Sequence, residues 1–172
     1  MRTIGMRARE QYFMTEQLKI SPVNDGMKRI YDYWMSHRKN GRLPKREDIE
    51  PGDVSDLLPN IFLVDVEETP RRYRVRLAGT EVVAFFGMDM TGKTIDSLEL
   101  GEHADTILKR YDEAVDSGQP SYAQYRYWTD AYEQHLNYER LLLPLSSDGE
   151  HVDKLLGCTF TLPLKGDAPA AC

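Results

Sequence analysis

A chain of 172 residues with 41% hydrophobic and 29% charged side chains is the size and make-up of one ordinary globular domain around one core. Its formal net charge of -6 excludes a general nucleic-acid binder and argues against docking on an anionic membrane, because both need a surplus of Lys and Arg. Cys158 and Cys172 are too few for a disulfide framework.

Residues 1–20 show no clean apolar period and read as a flexible N-terminal arm. Met1 to Met14 lacks the apolar core of a signal peptide, and no later run is long enough to cross a bilayer, so a cytoplasmic protein is expected. Ser21 as a cap, Pro22 in the first turn and apolar groups at Val23, Met27, Ile30, Tyr31, Trp34 and Met35 predict an amphipathic helix over 22–39, stopped by Gly41 and Pro44. This helix precedes the main domain. Its stripe Met27, Ile30, Tyr31 and Trp34 is expected to form a homodimer interface, with packing back on its own domain as the alternative.

Pro51 to Leu58 reads as a short helix ended at Pro59, and Ile61 to Val66 as a buried strand. After a turn at Glu68-Thr69-Pro70, Tyr73, Val75 and Leu77 alternate with Arg72, Arg74 and Arg76, the pattern of a hairpin with one wet face or, alternatively, of an anion site. Short helical turns interrupted at Gly87 and Gly92 carry the chain to Ile95. A longer helix from Glu102 to Ser117 follows, with Ala104, Ile107, Leu108, Tyr111 and Val115 on one side and Gly118 as its stop. Three strands close the domain at Ser121–Trp128, Tyr138–Leu145 and Leu155–Leu162, and 164–172 reads as a loose tail. Strands joined by such tight connections form an antiparallel sheet. The fold class is therefore α+β, with one domain over 21–163 and helices on one face of the sheet.

That element order, with Phe86-Gly87-Met88-Asp89-Met90-Thr91-Gly92-Lys93 between small helices, resembles PAS domains. Trp34, Gly41-Arg42-Leu43-Pro44, Asp48-Ile49-Glu50-Pro51, Leu57-Leu58-Pro59, Tyr73 to Thr80 and Glu139-Arg140 are similar to a bacterial PAS subfamily of small, often single-domain proteins. The resemblance covers roughly Asn24 to Leu162. It implies a five-stranded antiparallel sheet whose concave face encloses a core or a ligand pocket, and a non-catalytic regulatory module that binds haem, flavin, a small metabolite or nothing, and that dimerises or docks a partner. Fold likeness alone does not choose among these.

Gly87 to Thr94 matches the phosphate-cradling pattern G-x-x-x-x-G-K-[ST], which keeps a nucleotide-binding phosphotransferase as the rival reading and a purely structural dimerisation domain as a third. The expected context is wrong for a P-loop, since a buried parallel strand must lead in and a helix must lead out. Haem is disfavoured because Ala104 falls where related haem sensors carry the axial ligand, with His103 turned aside. Flavin is disfavoured because the Asn-Cys adduct motif of light-sensing relatives is absent. No metal-ligand spacing and no catalytic grouping is visible. Aromatic residues at Tyr122, Tyr125, Tyr127, Trp128, Tyr132 and Tyr138 divide between core and a partner surface. The expected ligand pocket is lined by Phe85, Phe86, Met88, Met90, Ile95, Leu108 and Tyr111, and its expected occupant is a small, apolar, uncharged or weakly polar metabolite.

Overall fold

The structure is a computed structural model that describes residues 22–98, 100, 104–129 and 134–163, without the side chains of 127–129 and 134–135. The N-terminal arm, the C-terminal tail, His103, Tyr132 and the side chains of Tyr127 and Trp128 lie outside the described residues. Helix α1 runs Asp25–His37. It starts later than Ser21 and Pro22 predict because Asn24 is the cap, its side-chain oxygen accepting the Gly26 N–H at 2.7 Å. A 3-10 segment, Pro51–Asn60, follows, with Val54 outside helical geometry and Pro59 within it.

Strands β1 (Ile61–Glu67) and β2 (Arg72–Ala78) form the first hairpin, α2 (Thr80–Phe86) and α3 (Ala104–Ser117) follow, and β3 (Ser121–Thr129), β4 (Gln134–Leu145) and β5 (Lys154–Leu162) close the chain. They make one five-stranded sheet in the order β2-β1-β5-β4-β3, antiparallel at every pairing. Because β1 pairs with β5, the centre of the sheet is made from both ends of the domain.

Period-two alternation gives the sheet two apolar faces. Phe62, Val64, Tyr138, Leu142 and Leu155 point inward, where α2, Met90, Ile95 and α3 cover them. Ile61, Leu63, Leu141, Leu143, Leu145 and Leu156 point outward, where Met27, Ile30 and Trp34 of α1 cover them together with Val54 and Leu57. Helices thus cover both faces, with α1 alone on the outer one among the α-helices described. At the centre, the far end of the Phe62 ring lies against Gly157 of β5, and a Cβ there would sit 2.1 Å from it.

The homodimer expectation for α1 is corrected here. Met27, Ile30 and Trp34 are each 0% exposed within the single chain, and Trp34 Nε1 donates to the Pro144 carbonyl at 2.9 Å. Tyr31 is half-buried beside Trp34 and packs against the same cluster. The sheet's outer face is as apolar as the helix stripe, and the two satisfy one another. Leu77 also departs from expectation, at 51% exposed. Leu63 pairs with Leu77 but Val64 pairs with Val75, so Arg76 is an extra residue in β2 and Leu77 is turned to the outer face. Among the described residues, no helix is long and apolar enough to cross a membrane.

A buried arginine at a small cavity

Strand β4 carries two adjacent charges, Glu139 and Arg140, and its alternation sends them to opposite faces. Outward, Glu139 is 0% exposed and fully engaged, accepting the Val23 N–H at 3.0 Å, the Asn24 N–H at 2.8 Å and the Tyr122 hydroxyl at 2.9 Å. It therefore holds the start of α1 against the sheet. Its carboxylate also accounts for why the helix begins after Asn24: the amides of residues 23 and 24 are already committed.

Inward, Arg140 is 5% exposed. Its Nη2 donates to the Tyr125 hydroxyl at 2.8 Å, and its guanidinium carbon lies 5.0 Å from the Tyr111 ring centroid and 4.8 Å from that of Tyr125. Cation–π contacts of this kind offset part of the desolvation of a buried cation. They leave its hydrogen bonding short: Nε has no partner, and among the described residues no carboxylate lies within ion-pair range. The other orphaned side-chain atoms described, Gln119 Oε1 and Ser121 Oγ, stand where the chain runs into β3, beside an open groove of about 390 Å³ next to α3. Burial pushes the Tyr111 hydroxyl up to about 12, with the Arg140 charge pulling the other way.

Arg140 lines a cavity of about 30 Å³ together with Phe62, Val75, Phe86, Met90, Ile95, Tyr111, Tyr138 and Thr159. A space of that size holds about one water. Of the residues expected to line a pocket, Phe86, Met90, Ile95 and Tyr111 do so. Phe85 is buried next to them, its ring 4.8 Å from Phe86 and 4.9 Å from Tyr138, but lines a separate shallow groove of about 180 Å³. Leu108 is half-buried against the inner core without lining the cavity. Met88 is 40% exposed, because Gly87 at φ 68 ends α2 and turns the chain outward. The sheet side of the site, Phe62, Tyr138, Arg140 and Thr159, was not anticipated. Its one signal in the sequence is a charged pair inside an otherwise apolar strand.

Gly87 to Thr94 is not a phosphate cradle. It leaves a helix rather than a strand, the Gly92 N–H donates to the Val75 carbonyl at 2.7 Å, Lys93 accepts the Val75 N–H, and Thr94 bridges to Arg74. The segment thus lies along β2, and a 3-10 turn at Ile95–Ser97 follows instead of a helix. The β2 arginines are engaged with the protein's own acids: Arg74 with Glu67, Arg76 with Asp65, and Arg72 near Asp96 at 3.9 Å. Among the described residues, no group of three or more His, Cys, Asp or Glu side chains could hold a metal ion. Burial pushes the Cys158 thiol up, away from reactivity. On the outer face a wider apolar groove of about 470 Å³ runs between the 3-10 segment and the first hairpin, lined by residues including Ile49, Pro51, Val54, Leu58, Leu63 and Leu77.

The sequence pattern of the PAS domain family matches residues 24–160, most of the chain. Solved structures of similar fold include one described as "Flavin Analogue Sheds Light on Light-Oxygen-Voltage Domain Mechanism", at 12% identity and a TM-score of 0.52, covering 66% of this chain and 84% of that one. Another is the LOV protein of Rhodobacter sphaeroides, at 18% identity and a TM-score of 0.51, covering 69% of this chain and 71% of that one. Among curated proteins none is similar enough in sequence to match. These likenesses overturn the expectation that sets flavin aside, since the fold is shared with Light-Oxygen-Voltage domains, one of them studied with a flavin analogue. The physical error lay in the motif: a missing Asn-Cys pair removes a covalent adduct and says nothing about non-covalent seating of a ring. The small volume sets one condition for any organic occupant, flavin included: the side chains around the cavity must move apart.

Proposed function

Because this chain belongs to the PAS domain family, we propose that it works as a non-catalytic sensory module whose inner cavity takes up a small ligand and reports occupancy to a partner. The observation that carries this reading is the under-satisfied Arg140 beside the cavity. A buried cation with an unpaired donor destabilises the closed state, so an occupant that pairs with it gains what the empty protein forgoes. The cover is suited to opening. It consists of α2, the Gly87 to Thr94 turn and a 3-10 turn, short pieces with few hydrogen bonds among themselves. Flavin is one candidate occupant, by likeness to the Light-Oxygen-Voltage structures.

Native mass spectrometry of the gently purified protein, with a visible absorbance spectrum, tests the reading. A mass above that of the chain, lost on denaturation, is the expected result. A ligand at one hundred times its dissociation constant should also add about 2.7 kcal/mol to stability. A bare mass and no thermal shift with any metabolite pool would leave a docking module with a filled core.

A second reading, assembly with another copy of the chain, is favoured by the apolar groove at Leu77. Sedimentation of the Leu77→Asp protein tests it: loss of a dimer supports the reading, and an unchanged sedimentation rate removes it.

A further inference from the structure

We propose that the inner cavity selects an amphipathic carboxylate, an apolar body with one anionic head, and that Arg140 is the residue that reads the head. The proposal rests on the reading of this cavity as a ligand site and gives that ligand its chemistry.

Three observations carry it. The guanidinium is buried, at 5% exposed, and its Nε–H has no acceptor while only one nitrogen, Nη2, has a protein hydrogen bond. Arginine offers its donors as a planar fork, which a carboxylate meets with two parallel hydrogen bonds. A hydroxyl or an amide oxygen satisfies part of that fork, but neither neutralises the charge. The surroundings of the cation are also one-sided. Among the described residues no carboxylate pairs with Arg140, whereas the neighbouring Glu139, which could neutralise it, is turned to the far side of the sheet and spent on two backbone amides and a tyrosine. Among the described residues, the interior therefore holds a positive charge without a counter-ion.

The third observation is the character of the remaining wall. Phe86, Met90, Ile95, Leu98 and Ile107 are apolar, and Thr159, opposite Arg140 on β5, is the polar neighbour in the sheet. A fully hydrated dianion would lose its shell against such a wall with one cation to replace it, so the geometry favours a single charge on an apolar body. The expectation of an uncharged occupant is revised on this ground. The rings of Tyr111 and Tyr125 lie against the guanidinium and the Tyr125 hydroxyl takes one Nη2 hydrogen, so the group is held in place with its Nε–H left for the ligand.

Matched probes test the inference on the intact chain: phenylacetate against phenylacetamide, and octanoate against octanamide, by calorimetry and thermal shift. Each acid is expected to bind at least tenfold more tightly than its amide. That preference should vanish in Arg140→Met and survive in part in Arg140→Lys, which keeps the charge without the fork. Equal binding of acid and amide overturns the inference while leaving the cavity as a ligand site. Binding of neither pair up to millimolar concentrations also overturns it, and a bare native mass in addition removes the ligand-site reading beneath it. Since the acid and amide are compared on the unaltered protein, the result stands even if a variant fails to fold.

Discussion

The two faces of the sheet treat charge in opposite ways, and β4 displays both within two residues. Glu139 enters the outer face and meets three donors, so its burial fixes where α1 begins. Arg140 enters the inner face and finds two aromatic rings, one hydroxyl and an unpaired Nε. A buried charge that is fully paired holds a structure together. One that is left short of partners lowers stability.

The largest effect that would break this contrast is at Trp34, the anchor of the closed face. Trp34→Ala should lose about 3 to 5 kcal/mol, measured as a shift in the urea midpoint, because it empties a fully buried site and orphans the Pro144 carbonyl. Retention of wild-type stability would mean that α1 is not part of the domain's own core. Next comes Glu139→Gln, expected to destabilise by about 2 kcal/mol, since the amide loses the charge and turns a donor toward two backbone N–H groups. Hydrogen exchange should quicken first in α1.

Arg140→Met sharpens the comparison by its sign. In the ligand-free protein it should leave stability unchanged or raise it by about 1 kcal/mol, because a flexible apolar side chain replaces a buried, partly paired cation. A loss as large as that of Glu139→Gln would place Arg140 among structural residues.

The smallest effect is in alkali. Burial, reinforced by the Glu139 carboxylate, pushes the Tyr122 hydroxyl up to about 12, and burial, opposed by Arg140, does the same for Tyr111. Both folded values exceed the ordinary one of about 10, so this contribution is intact below pH about 10 and is lost as pH rises through about 12. Tyrosine absorbance should therefore titrate late. Glu139→Gln should bring Tyr122 down, whereas Arg140→Met should drive Tyr111 further up; shifts in the same direction would contradict the assignment of the two charges to opposite faces.

By itself the sequence determined what depends on near neighbours. The period of Met27, Ile30 and Trp34 made α1, the alternation in the last three strands made the sheet, and Gly87 and Gly118 marked helix ends. Those signals also carried four of the twelve residues that line the cavity, because Phe86, Met90 and Ile95 lie on short elements, and Tyr111 on the apolar side of α3, that cover the sheet's inner face. What α1 packs against was not legible, since an apolar stripe is complementary to any apolar face, and only the pairing of β1 with β5 shows that the outer face lies within reach. The exposure of Leu77 depended on the extra residue at Arg76, which is visible only once β1 and β2 are in register. The unequal standing of Glu139 and Arg140 was decided by tertiary structure as well. Adjacent charges in a strand face opposite ways from local geometry, but whether each meets a partner depends on groups more than a hundred residues away for Glu139, at Val23 and Asn24, and on the rings that α3 and β3 bring to Arg140.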